Sequence, residues 1–220
     1  PHIFRPHAIG FFRTYRSCLE QAGFDGLLIR AFEEIQWMRE EQISFSASFD
    51  ASVYAWNHGA VHTLKEEQAA FITAPWELNS RELEPVFEAC RREGLPAELI
   101  VYGRAPMMVS AQCITKTVKG CSKCPSLLWM KDRTGARLPV QNHCAFCYNT
   151  ILNPLPVSLH GCADSVKRLA PEGLRLCFTI ETGEETKAVL NAFAAEFIRG
   201  ENAEPPFTEF TRGHFRRGVE

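Results

Sequence analysis

Residues 69–102 read AAFITAPWELNSRELEPVFEACRREGLPAELIVY. AAFITA, residues 69–74, is an apolar strand stopped by Pro75, which has no N–H to give to a sheet. Residues 80–92 carry Leu83, Val86, Phe87 and Cys90 at spacings of three and four, the one-sided pattern of an amphipathic helix. Ser80 is placed to cap its first turn and Gly94 to stop it. ELIVY, residues 98–102, is the next strand. A strand, a helix and a strand in this order form a parallel βαβ unit, because parallel neighbours need a crossover.

The alternation continues upstream. Residues 8–22 form an amphipathic helix before Gly23. GLLIR (26–30) is a short buried strand, and residues 32–41 form a helix with Phe32, Ile35, Trp37 and Met38 apolar. ISFSASF (43–49) is a strand ending at Asp50, and residues 51–65 hold one helix or two short ones broken near Gly59. Four such units are half of an eight-unit barrel or a small open sheet. In a barrel the chemistry gathers at the C-terminal ends of the strands. Those ends are Arg30, Asp50, Glu77 and residues 102–104. Each is otherwise a solvated loop residue; Glu77 and Arg104 are the two singled out as candidate catalytic groups.

After Ser110 the composition turns to cysteine, lysine and glycine. LLWMK (127–131) and RLPVQ (137–141) flank Asp132-Arg133-Thr134-Gly135-Ala136, a β-hairpin with glycine in the turn. Residues 174–181 (LRLCFTIE) form a further strand and residues 183–200 a long helix. Residues 201–206 are a linker. The end, 211–218, is basic and glycine-punctuated, either a solvated tail or a weak nucleic-acid contact. The expected organisation is a half barrel over 1–110, a cysteine-rich hairpin region over 111–160, and a closing strand, helix and basic tail over 161–220. The fold class is α/β, a partial TIM-like barrel with an inserted hairpin.

Nine cysteines are present, and five of them, Cys113, Cys121, Cys124, Cys144 and Cys147, fall within 35 residues. An odd total with no secretory signal argues against a disulfide framework and for a reducing, cytoplasmic setting. Two CxxC pairs, 121–124 and 144–147, stand on either side of the hairpin. Each CxxC turn can aim two sulfurs at one centre, so the spacing fits a zinc ribbon. It fits an iron–sulfur cluster equally, since both take four thiolates; unligated thiols or a redox pair are the third possibility. Lys116, Lys119 and Lys123 surround the set. His143 is a substitute ligand or a surface histidine. Cys18, Cys90 and Cys177 lie in apolar patterns and are expected in the core.

The net charge of −2 rules out a global basic field, leaving only a local patch for nucleic acid. No apolar run is long enough to span a membrane. The chain starts without a methionine, which points to a piece of a longer protein. No phosphate loop, HExxH or GxSxG is found. A Cys144–His160 nucleophile pair is conceivable, but nothing local supports it.

The run ELIVYGRAPMMVSAQC (98–113) resembles the strand-to-cysteine segment of the collagenase-like peptidase U32 family. So do LWMKDRTG (128–135) leading to LPV (138–140), CYNTILN (147–153) leading to LPVSL (155–159), TRGHFRRGVE (211–220) and AFITAPWELNSRELE (70–84). The resemblance implies the second half of a TIM-like barrel, with the first half of the same barrel as its partner. Several members of the family take part in oxygen-independent hydroxylation of RNA or of a quinone precursor, using iron–sulfur clusters. By motif position the ligands implied are Cys113, Cys121, Cys124 and Cys147; Cys144 is a departure and could take the place of Cys124. The resemblance favours a [4Fe–4S] cluster over zinc. The substrate implied is RNA, with a collagenase-like peptidase acting on protein and a zinc-stapled binding module as alternatives.

Overall fold

The computed structural model describes residues 2–121, 123 and 126–218; Cys124 lies outside the described residues. The chain opens with two helices, α1 (Pro6–Thr14) and α2 (Arg16–Gln21), where one was expected over 8–22. The break is at Tyr15, whose ring packs 4.7 Å from Phe11. Helix α2 buries no residue, so Cys18 is exposed and not in the core.

The half barrel then alternates as the pattern demands. Its elements are β1 (Gly26–Ile29), α3 (Phe32–Glu40), β2 (Ser46–Phe49), α4 (His58–Glu66), β3 (Ile72–Thr73), α5 (Ser80–Glu93) and β4 (Ala97–Gly103). β2 and β3 are shorter than their apolar runs because the preceding helices use the first residues to close. Ile43 N–H donates to Met38 O, and Ala69 N–H to Leu64 O. The break in 51–65 falls at Tyr54, in left-handed backbone with φ 57°, while Gly59 sits inside α4. Asn79, not Ser80, caps α5: its side chain accepts from Arg81 N and Glu82 N, and Glu82 reaches back to Asn79 N. Leu83, Val86, Phe87 and Cys90 are buried as the periodicity requires, and Gly94 ends the helix at φ 59°.

The remaining elements are β5 (Pro106–Ser110), α6 (Ile114–Lys119), β6 (Leu127–Lys131), β7 (Arg137–His143), β8 (Tyr148–Leu152), β9 (Val157–Ser158), α7 (Ala163–Leu169), β10 (Gly173–Cys177) and α8 (Gly183–Phe193). The last continues through a π-helical turn, Ala194–Arg199. The strand expected over 174–181 stops at Cys177. Beyond it the Glu181 carboxylate accepts from Thr179 N and Ile180 N and turns the chain into α8.

Two sheets result. Strands β1-β2-β3-β4-β10 pair in that order, all parallel, with β9 antiparallel on β4. Strands β5-β8-β7-β6 form an antiparallel sheet. The parallel sheet is curled, as a partial barrel must be. β2 and β10 are three strand positions apart, about 14 Å in a flat sheet. Yet Arg175 on β10 donates to Asp50 at the end of β2 (3.0 Å), to Thr73 on β3 (3.1 Å) and to Glu98 on β4 (3.2 Å). One guanidinium thus spans four strands. Gly103 lets β10 come this close: a Cβ there would lie 2.6 Å from the Cys177 Cβ.

Phe49, Ile72, Leu83, Phe87, Leu99 and Val101 fill the space between the curled sheet and its helices. Each fully buried side chain of this kind contributes about 1.5–3 kcal/mol. The basic tail is anchored through Arg212 and Phe215, while Arg216 and Arg217 stay exposed. Phe215 is buried, its carbonyl accepts from Ser80 N (2.8 Å), and Arg212 donates to the carbonyls of Ser158 and His160.

Burial pushes the Asp50 carboxyl up, but Arg175 and Arg30 outweigh it and leave its pKa below the usual 3.8. A group depressed in this way stabilises the fold above its unfolded pKa and loses that contribution as pH falls through the folded value. Arg175→Met should therefore cost about 2–3 kcal/mol at neutral pH in urea unfolding. That is less than a fully buried pair would lose, because Arg175 keeps partial exposure. With Arg175 gone the folded Asp50 pKa rises toward its unfolded value, so the variant should also lose less stability than the wild type as pH falls below the unfolded pKa.

Candidate functional site

A cavity of 360 Å³ lies at the C-terminal ends of the parallel strands, roofed by the antiparallel sheet. Arg30 after β1, Asp50 after β2, Glu77 after β3, Arg104 after β4 and Cys177 at the end of β10 all line it. Of the strand-end residues named from the sequence, the structure brings together Arg30, Asp50, Glu77 and Arg104, while Tyr102 and Gly103 do not line the cavity. It adds three that were not: His2, Arg175 and Cys177. The signal for Arg175 was a charged residue inside the apolar run LRLCF, facing the same side of β10 as Cys177.

Arg30 donates to Asp50 at 2.8 Å. The Arg104 guanidinium donates to the carbonyls of Asn153 and Pro154 and lies 3.7 Å from Glu181, so part of its work is to hold the β8–β9 loop on the end of β4. Glu77 differs from its neighbours. Among the described residues its buried Oε2 has no hydrogen-bond partner, and burial raises the carboxyl pKa above the usual 4.5. Burial also raises the Cys177 thiol and lowers His143, and it brings His2 down to about 4. At neutral pH both imidazoles are uncharged, and the arginines carry the positive charge of the cavity.

A second cavity, of 460 Å³, lies on the other side of the antiparallel sheet. Cys113, Cys121, Cys144 and Cys147 line it together with Lys116 and Asn142. Alternation along β7 separates the two spaces: Gln141 and His143 line the barrel mouth, and Asn142 between them lines the thiol cavity. Asn142 and Asn149 are cross-strand partners. Asn149 donates to Gln112 O (2.8 Å) and Asn142 to Thr115 Oγ1 (3.2 Å), which fixes the segment carrying Cys113. The Lys116 N–H points at Cys113 Sγ, 3.4 Å away.

Four of the five expected thiols therefore come together from three separated segments; Cys124 is outside the described residues. They ring a space rather than a point: among the described residues, no three Cys, His, Asp or Glu side chains are placed to clasp one ion. His143 is not among the thiols. It stacks on Tyr148 at 4.4 Å and meets Thr150 Oγ1 at 3.1 Å, on the mouth side. His160 packs on Phe193 and faces Glu196 at 3.4 Å, and lines a different cavity from Cys144.

The fold and these cavities define an α/β half-barrel protein with a thiol-rich module behind its mouth. The chain belongs to peptidase family U32, whose family model matches residues 3–153, from the first helix through β8. No curated protein and no solved structure matches it. No helix among the described residues is long and apolar enough to cross a membrane.

A carboxyl whose folded pKa is raised binds protons more tightly in the native state. Stability therefore falls as pH rises from the unfolded pKa through the folded one. Glu77→Gln removes that slope. The variant should gain on the wild type in urea midpoint between pH 4 and pH 7, and an unchanged difference would place Glu77 in water.

Proposed function

We propose that this chain carries the cluster-binding module and substrate mouth of an iron–sulfur-dependent, oxygen-independent RNA hydroxylase that works in the cytoplasm. The observation that carries the reading is the set of four cysteines lining one 460 Å³ cavity back to back with the barrel mouth. Thiolates are the ligands of both zinc and iron–sulfur centres. A ring of sulfurs around a roomy space suits a polynuclear cluster better than one tetrahedral ion. Cys113, Cys121 and Cys147, with Cys124 or Cys144 as the fourth, would hold it. Bound there, a cluster supplies one-electron transfer, with a potential tuned by N–H···S contacts such as that from Lys116.

The chain's own residues define the rest. Arg30, Arg104 and Arg175 present cationic edges to an anionic group in the mouth. Glu77 keeps its proton to higher pH than an ordinary carboxyl, so its unpartnered Oε2 can give or take a proton at the substrate. A cysteine-peptidase reading is disfavoured by Cys177: its thiol is pushed up by burial, whereas a nucleophilic cysteine needs a lowered pKa.

Anaerobically purified protein should be brown and hold about four iron and four sulfide per chain. Cys113→Ser and Cys147→Ser should each lose most of the iron while keeping the circular dichroism of the fold. Colourless protein with about one zinc per chain defeats the cluster reading. Digestion of gelatin by the pure protein, lost in Glu77→Gln, would move the assignment to a peptidase.

A further inference from the structure

Across residues 111–147 the chain carries six cations, Lys116, Lys119, Lys123, Lys131, Arg133 and Arg137, against one anion, Asp132. This is a net of +5 in a protein whose total is −2, so everything outside the segment sums to −7. The six cations are exposed, and none forms an ion pair among the described residues. The only acid is spent locally: Asp132 accepts from Thr134 N (2.8 Å) and Ala136 N (2.9 Å) inside its own turn.

The hairpin puts Lys131 and Arg137 on one face with Arg133 in its turn, while Lys116 lines the thiol cavity on the other side. Arg137 lies two and four residues before Pro139 and Gln141 on β7, so the three share a face, and Gln141 lines the barrel mouth. Lys131 is directly opposite Arg137, and Trp129 is opposite Pro139. Trp129 is about half exposed, and the Arg137 guanidinium sits 5.0 Å over its ring. Two like charges placed directly across an exposed ladder destabilise it. A polyanion lying along that face would remove the repulsion, and an indole with a stacked guanidinium is a platform for a base.

We propose that the mouth-facing side of the β6–β7 hairpin is a docking track for single-stranded nucleic acid. On it Lys131, Arg133 and Arg137 track phosphates and Trp129 stacks a base, next to the mouth that receives the target nucleotide. The inference deepens the RNA reading above and rests on it for the purpose of the contact, but its geometry does not involve the thiols.

The test is fluorescence-anisotropy titration of the full chain, as purified, with a labelled single-stranded oligoribonucleotide at several salt concentrations. The triple variant Lys131→Glu/Arg133→Glu/Arg137→Glu should weaken binding at least tenfold and flatten the log K against log salt slope by about 2, from about 0.7 per phosphate contact. Trp129→Ala should weaken binding about tenfold with the slope unchanged. Lys187→Glu, on the far element α8, should leave both as in the wild type. Unchanged affinity and slope in the triple variant overturn the proposal, and so does equal competition by polyglutamate, which would point to an acidic protein. Iron content measured on the same samples separates the two readings. Zinc in place of iron with hairpin-dependent RNA binding removes the cluster alone; full iron with no such binding removes the docking track alone.

Discussion

The curl of the parallel sheet rests on one arginine. Arg175 enters from the last strand and donates to Asp50, Thr73 and Glu98, so β2, β3 and β4 each offer an oxygen to the same guanidinium. Charged groups placed inside an apolar half barrel would be costly alone; together they are stabilised by mutual pairing, and they pull β2 toward β10. The same contact fixes Asp50 against Arg30, which places both at the mouth. Without the curl the five strand ends would be spread along a flat edge, and no shared cavity would exist.

The antiparallel sheet is the second structural decision. Because side chains alternate along a strand, β7 can serve two spaces with successive residues: Gln141 and His143 toward the mouth, Asn142 toward the thiols. The barrel mouth and the thiol cavity are then kept on opposite faces of one layer. The hairpin end of the same layer carries Lys131, Arg133 and Arg137, so a single sheet links the thiol cavity, the mouth and the proposed docking track.

The parallel order of the strands and the buried face of α5 were legible from apolar periodicity. So was the hairpin between the CxxC pairs, from its turn residues. That Cys113, Cys121, Cys144 and Cys147 gather round one cavity was legible in part, because two CxxC pairs flank a hairpin and spacing is a local property. Errors came where tertiary contacts override local pattern. Cys18 has an apolar neighbourhood in sequence, yet its six-residue helix packs no face inward. The tail after residue 210 reads as solvated from its charge; in the fold Arg212 is consumed by the carbonyls of Ser158 and His160, and Phe215 plugs the end of α5.

The sequence alone determined the alternation of strands and helices, the spacing of the clustered cysteines and the local charge excess of residues 111–147, because each depends on neighbours a few positions apart. Only the tertiary structure decided that Arg175 belongs with Asp50, that His143 turns away from the cysteines, and that the buried Oε2 of Glu77 has no hydrogen-bond partner among the described residues. Those outcomes are set by the curl of one sheet and the face another presents to it. Both join residues up to 125 positions apart, a separation at which no local pattern carries information.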